Sequence, residues 1–519
     1  MDLGRVSRGD ALASLGERTF DVLVVGGGIV GSGIAAAVAH HGLSVALVDR
    51  GDFAAATSSS SSKLIHGGLR YLRLGDVRLV REAHDERRAL MRVVAPHLVH
   101  QIPFLMPLYE SGPYRPYVVQ TGIAVYSTLA RAKLNGLVDP SRAARMVPEL
   151  RLDGLRKCGL YVDCWTNDSR LTLANVRAAA ELGGVVANYA EVTELRVERG
   201  KVTGATVAAD GRTIEVRAGA VVNAAGPWLD SVRRLEDPSA RPSIRLSKGV
   251  HALLEPGAGW SAALTVPHDK VRVSFAVPWQ GMLLLGTTDS LYEGDPGGLA
   301  VDEADIEQVL SEAAVALDPA LVRRERVRAA YAGVRVLPGG SGGTTSARRE
   351  TVYTRGKAGM LSVAGGKLTT YRRIALDALA RLRTELGLHR LDTRPWPLPG
   401  AGGLDRLSLP VEVAPALRAH LRGLYGSLAA EVLAPAVEDE SLLEPLVPGF
   451  PDIAAQVVYA GRAEWATSAE DVLRRRTALA LRGAADETVV AKVESLLGVR
   501  RPQGTPHPGG EDHVPGAGA

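Results

Sequence analysis

The chain has 519 residues, 46% of them hydrophobic and 23% charged, enough for a large buried core and incompatible with disorder along its length. A formal charge of +4 is small for this size and argues against a nucleic-acid-binding protein, while remaining compatible with anionic partners such as phosphorylated metabolites. Cys158 and Cys164 are too few for a disulfide scaffold and fit no common zinc or redox spacing, so both are expected as core thiols.

The N-terminal stretch MDLGRVSRGDALASLGERTF lacks a signal peptide's apolar core. No segment is apolar for long enough to span a bilayer, so a cytoplasmic protein is expected. The first strong element is FDVLVV, Phe20 to Val25, short, β-branched and apolar as a strand covered on both faces should be. An Ala-rich helix follows and ends at Gly42. SVALVD, Ser44 to Asp49, reads as a second buried strand, completing one β-α-β unit.

Between that strand and helix stand Gly26, Gly28 and Gly31, a G-x-G-x-x-G in its proper strand-turn-helix setting. Gly26 suits the tight turn, Gly28 lets backbone approach a pyrophosphate, and Gly31 permits close helix-strand packing, with the phosphates at the positive helix end beside Ile29. Asp49 ends the second strand, where a carboxylate can accept from ribose hydroxyls; an acid there disfavours a 2′-phosphate. These residues predict dinucleotide binding.

Further along, DVRLVREAHDERRALMRVVAP reads as an amphipathic helix with Asp76 as N-cap. Pro and aromatic residues from Pro103 to Tyr126 suggest a mixture of loop and strand. A helix capped at Asp168 runs to Gly183. Strands with turns at Arg199-Gly200 and Asp210-Gly211 then form a β-meander that returns to a buried strand, AVVNAAG. The chain is strand-rich from Ser243 to Thr288, has a helix from Asp302, and is mostly helical beyond Pro395. The Trp165, Trp228 and Trp279 indoles are expected to pack rather than carry electrons.

Seven stretches share one further resemblance: TSSSSSKLIHGGLRYL, YVDCWTNDSRLTLANV, VVNAAGPW, RLSKGVH, VPWQGMLLLGTTD, AGVR and LSVAGGKLTTYR. In content and order they resemble the FAD-dependent sn-glycerol-3-phosphate dehydrogenases, respiratory enzymes that pass electrons to quinone. The likeness spans roughly residues 18 to 500. It departs from the family pattern where Asp49 replaces a common Glu, where Val336 rather than Pro follows Arg335, and in SGGTTSARRE, where Arg349 or Arg348 matches the family arginine.

The resemblance implies an α/β fold with a discontinuous Rossmann-like FAD-binding domain (18–100, 155–242 and 330–392), an antiparallel-sheet substrate domain (101–154 and 243–329) and a C-terminal α-helical domain (396–501), with flexible termini at 1–17 and 502–519. It implies oxidation of sn-glycerol 3-phosphate to dihydroxyacetone phosphate, the C2 hydrogen leaving as hydride to flavin N5. A glycerol-3-phosphate oxidase, passing electrons to oxygen, would carry nearly the same motifs. An amine or amino-acid oxidase and a non-catalytic nucleotide-binding module are the remoter readings.

Family motifs carry candidate roles onto individual residues. Guanidinium forks match phosphate oxygens, which nominates Arg70, Arg335 and Arg349, with Tyr71 as a hydroxyl donor and Thr288, beside Thr287 and Asp289, in the site wall. A neutral imidazole suits proton removal, which nominates His251 and His66, the latter also placed to seat the flavin, with Lys367 to polarise the hydroxyl. FAD contacts are carried onto Gly26, Gly28, Ile29, Gly31, Asp49, Thr57, Ser58, Ser59, Ser62, Lys63, Leu64, His66, Gly67, Val192, Ala225, Gly226, Gly333, Gly366, Lys367, Leu368 and Thr369. GGKLTT opens a helix whose N–H groups and dipole favour the charge that develops on reduced flavin. No metal is expected. A quinone acceptor implies access to the cytoplasmic membrane's inner leaflet, for which the basic stretches RRALMRVV and LRRRTALALRG are candidates. A homodimer is left open.

Overall fold

The computed structural model describes residues 8–498, apart from 70–71, 73–75, 132–134, 258, 270–271 and 340–350. Two sheets divide the chemistry-bearing motifs between them.

The first sheet is built on strand Thr19–Val25, whose Val22, Leu23 and Val24 are fully buried. It lies between Arg212–Asn223 and Val45–Val48, parallel to both, and the parallel array continues to Leu361–Gly365 on one side and Val185–Ala187 on the other. Side chains alternate across this sheet. Val22, Val24, Val45 and Leu47 face a cluster shared with helices Ile29–His40, Asp168–Glu181 and Tyr371–Leu382. Leu23, Val25, Ala46 and Val48 face the opposite side, covered by helix Arg8–Glu17 and the predicted meander, Glu191–Glu198, Lys201–Ala209 and Arg212–Asn223. Both faces are therefore dry, which is why these strands read as unbroken apolar runs.

The second sheet is antiparallel but for one pairing, between Ala263–Pro267 and Val99–Tyr109. Two long pairs dominate it, Val99–Tyr109 with Leu155–Thr166 and Ile244–Leu254 with Val327–Pro338. Leu155–Thr166 and most of Val327–Pro338 belong to segments expected in the dinucleotide domain, yet they pair in this second sheet. Strand partners lie far apart in sequence, so segment boundaries do not report them.

Two local expectations are corrected. Residues 103–126 contain strand Val99–Tyr109 and then helix Pro116–Leu129, with Pro116 in its first turn, where a missing N–H costs nothing. The N-cap of the helix from Asp168 is Asn167, whose side chain accepts from Arg170 N, because Asp168 is engaged elsewhere. Asp76 caps its helix as expected.

The C-terminal region packs helices Pro415–Tyr425, Ala454–Ala463 and Glu487–Leu497 around an apolar cluster of its own. Among the described residues no helix is long and apolar enough to cross a membrane. In the two basic stretches proposed for an anionic surface, three arginines turn inward, while Arg92 and Val93 stay exposed. Arg87 donates to Val162 O and pairs with Asp163, and Arg475 and Arg476 are 3% and 0% exposed in ion pairs with Asp52. Each guanidinium is matched by a buried carboxylate that sequence distance conceals. Cys158 and Cys164 are free and buried, and burial pushes both thiols up to about 12.

Candidate active site

The glycine turn is shaped by sterics. Gly26 sits at φ +107°, a conformation that L side chains avoid. A Cβ on Gly31 would lie 1.8 Å from Gly26 O, so only glycine lets this helix approach the strand end. Gly28 caps helix Ile29–His40 with no side-chain bond, leaving the helix start lined by backbone N–H groups; Ile29 N donates to Ser58 Oγ at 2.9 Å. Asp49 accepts from Gly27 N at 2.6 Å and Gly51 N at 2.8 Å, and burial pushes its carboxyl up to about 6. A helix N-terminus held tight against the strand, beside a buried carboxylate with lone pairs to share, fits the diphosphate and ribose of FAD.

The serine run folds under this turn and bridges the two sheets. Thr57 Oγ1 donates to Val334 O at 2.6 Å, and Tyr331 Oη donates to Ser61 O at 2.7 Å. Gly333 is required here, since a Cβ would lie 2.5 Å from Ser60 O. Ser59 is buried and donates to Ala56 O. Asp168 Oδ2 accepts from both N and Oγ of Ser61, while its Oδ1 takes Lys63 Nζ at 2.7 Å.

The Lys63 side chain braces the loop from within. Its ammonium also donates to Ser59 O and lies over the rings of Trp279 and Tyr331, at 4.8 and 5.2 Å. The side chain is 1% exposed, turned into the protein to carry the loop. Leu64 lies in the short strand that follows, paired with Trp165.

The HGG and GGKLTT motifs meet at one hydroxyl. Thr369 Oγ1 accepts from His66 N and donates to His66 O, at 3.1 and 3.3 Å. Gly366 and Lys367 lead into the turn Leu368–Thr370 and helix Tyr371–Leu382. Gly67 N donates to Asp163, which also takes Tyr126 Oη and Arg87. Ala225 N is fixed by Asn223 Oδ1, Gly226 opens the turn Gly226–Trp228, and Val192 is buried in the meander.

A cavity of about 670 Å³ opens beside these motifs. Its lining mixes polar residues, among them Ser62, His66, Thr287, Thr288, Asp289 and Arg335, with apolar ones, among them Phe104, Met106, Phe275 and the Val118–Val125 face of helix Pro116–Leu129. The Arg335 guanidinium donates to Thr287 Oγ1 at 2.6 Å and to Thr288 O and lies 3.8 Å from Asp289. Thr288 Oγ1 takes Val250 N.

His251 stands behind Ser62, with Nε2 2.9 Å from Ser62 Oγ and its ring stacked on Tyr331 at 4.9 Å. Burial, reinforced by the cations of Arg335 and Lys63, holds its pKa well below the ordinary imidazole value. Nδ1 is buried with no hydrogen-bond partner among the described residues. Arg70, Tyr71, Arg348 and Arg349 lie outside the described residues.

The structure adds residues that motif reading did not single out. Asp168 and Asp163 organise the two loops, and Tyr331 ties His251 to the serine run. Both aspartates stand in the YVDCWTNDSR stretch, so the signal was present without its meaning.

The model of the FAD dependent oxidoreductase family matches residues 21–372, and that of the C-terminal domain of alpha-glycerophosphate oxidase matches residues 391–500. The chain is 37% identical over 505 residues to glycerol-3-phosphate dehydrogenase 2 of Mycobacterium tuberculosis, covering 92% of this chain and 84% of that one. It is 36% identical over 519 residues to the mitochondrial glycerol-3-phosphate dehydrogenase of Macaca fascicularis, covering 92% and 70%. The solved glycerol-3-phosphate dehydrogenase of Bacillus halodurans, complexed with FAD, superposes with a TM-score of 0.76 at 26% identity, over 96% of this chain and 94% of that one.

Proposed function

The chain belongs to the FAD-dependent glycerol-3-phosphate dehydrogenases, and on that premise we propose that it oxidises sn-glycerol 3-phosphate to dihydroxyacetone phosphate and passes the electrons to a quinone. The observation that carries this reading is the cavity lining, which brings Arg335 together with Ser62, the partner of His251, and with His66 of the HGG motif, whose backbone is held by Thr369 of GGKLTT.

Bound FAD supplies a two-electron acceptor for the C2 hydrogen of the substrate. Arg335, braced by Thr287 and Thr288, offers its fork to the substrate phosphate. Ser62 holds the His251 ring. In the tautomer that accepts at Nε2, the lone pair lies against Ser62 Oγ, which lines the cavity, and takes the C2 hydroxyl proton from that side. The low pKa keeps that imidazole neutral at physiological pH. Gly366 to Thr369, at a helix start, favour negative charge beside them and so hold the cofactor's reduced form. Gly26, Gly28, Gly31 and Asp49 seat its nucleotide half.

The apolar residues in the cavity lining support a hydrophobic acceptor rather than a purely aqueous one. The test is anaerobic. Glycerol 3-phosphate should bleach the flavin bands, and a short-chain quinone should restore them many times faster than air. Failure to bleach sinks the substrate assignment. Fast reoxidation by air with stoichiometric peroxide replaces the dehydrogenase with an oxidase.

A further inference from the structure

The three consecutive arginines of the C-terminal domain, Arg474, Arg475 and Arg476, have partners outside that domain. Arg476 grips Asp52 with both Nη atoms, at 2.6 and 2.9 Å, and Arg475 Nε reaches the same carboxylate at 2.5 Å. The side chains of Arg475, Arg476 and Asp52 are almost completely buried. Burial opposes ionisation of Asp52, but the two guanidiniums outweigh it and hold its pKa below the ordinary carboxylate value.

Asp52 lies in the loop that underpins the glycine turn. Asp49, three residues earlier, takes Gly27 N; Ala54, two residues later, donates its N–H to Gly27 O at 3.2 Å; and a Cβ on Gly27 would strike the Phe53 ring at 2.4 Å. The C-terminal domain holds this loop at further points. Trp465 meets Phe53 edge-on at 5.6 Å, and its carbonyl takes Asn188 Nδ2, which also donates to Asp52. Tyr189 Oη donates to Asp471, itself paired with Arg475. Arg170 crosses the same seam to Glu464.

We infer that Arg475 and Arg476 are positioning residues for FAD, acting through Asp52 to fix the Asp49–Ala54 loop against Gly27. The C-terminal domain thereby sets how tightly the nucleotide half of the cofactor is held. A bidentate Arg–carboxylate pair constrains orientation as well as distance, so it transmits position where a point charge would not.

The experiment measures the FAD dissociation constant by fluorescence, at low temperature, on the refilled full-length chain. The variants are Asp52→Asn, Asp52→Asn/Arg476→Met, Arg476→Lys and, as a control, Arg482→Met, which breaks an ion pair to Asp452 inside the C-terminal domain. The constant should rise at least about 10-fold in both Asp52 variants and by an intermediate factor in Arg476→Lys, and stay within about twofold in Arg482→Met, the first range matching loss of a charge-assisted hydrogen bond. The inference falls if the double variant binds FAD as the parent does while only its melting temperature drops, or if Arg482→Met weakens FAD equally. Should the double variant not fold, Arg476→Lys decides by the same criterion. Substrate turnover is not used, so the result stands apart from the proposed reaction.

Discussion

Ser62 Oγ and His251 Nε2 lie 2.9 Å apart, joining the serine run to a strand 189 positions further along the chain. This contact fixes the imidazole's orientation, and Nδ1 is buried without a partner among the described residues. Replacing His251 by Gln should lower kcat about 10²- to 10⁴-fold with flavin still bound, the range of a lost general base. Ser62→Ala should lower it less. Steady-state kinetics on enzyme of matched flavin content checks both.

The same histidine makes a pH prediction. Its folded pKa lies below the ordinary value, so it is neutral throughout the physiological range and protonates only in acid. The rate kcat/KM should therefore stay flat on the acid side until well below pH 6.5, the usual imidazole value. A limb centred at or above that value would contradict the assignment.

Among the described residues, Arg335 is the guanidinium of the cavity lining that family motifs nominate for phosphate. Arg335→Ala should reduce kcat/KM for glycerol 3-phosphate by about 10- to 100-fold, as expected for charged hydrogen bonds of about 1.5–3 kcal/mol. Arg335→Lys should recover only part, since an ammonium lacks the fork. Glycerol, which has no phosphate, should be oxidised equally poorly by all three.

Asp49 couples the cofactor to pH. Burial pushes its carboxyl up to about 6, and ribose hydroxyls need it as an acceptor. FAD binding favours the ionised form, so affinity is fully present above pH 6 and declines as pH falls through it. Asp49→Asn should bind more weakly and lose this dependence, measurable by flavin fluorescence titration between pH 5 and 8.

Lys63 and Asp168 are an ion pair with side chains 1% and 0% exposed. Lys63→Met alone leaves a buried carboxylate unmatched and should cost about 3–5 kcal/mol. Lys63→Met/Asp168→Leu removes both charges and should cost less than the single change. Denaturant unfolding of the flavin-bound protein reads the difference, and strict additivity would refute a coupled pair.

Much of the first sheet was legible because its physics is local. Two-sided burial writes apolar runs at Phe20–Val25 and Ser44–Asp49, and the glycine spacing announces the turn between them. The meander's turns were equally readable. Helix Pro116–Leu129 was missed because its exposed Tyr117, Val118 and Val125 blur the usual amphipathic pattern. The buried arginines of the basic stretches were not legible for a related reason: a charge run looks solvated until its buried carboxylates are known.

The sequence alone determined the kind of protein: the motifs in order, the cofactor class, and the candidates Arg335, His251 and Asp49. Only the tertiary structure decided which side chains act and which brace. It turned Lys63 inward to Asp168, set His251 against Ser62 and Tyr331, and linked Arg475 and Arg476 to Asp52, 423 and 424 positions away. The reason is the range of the forces involved. Turn sterics and strand burial act between neighbours in the chain, whereas a buried charge is tolerable only beside its partner, and that partner is chosen by folding.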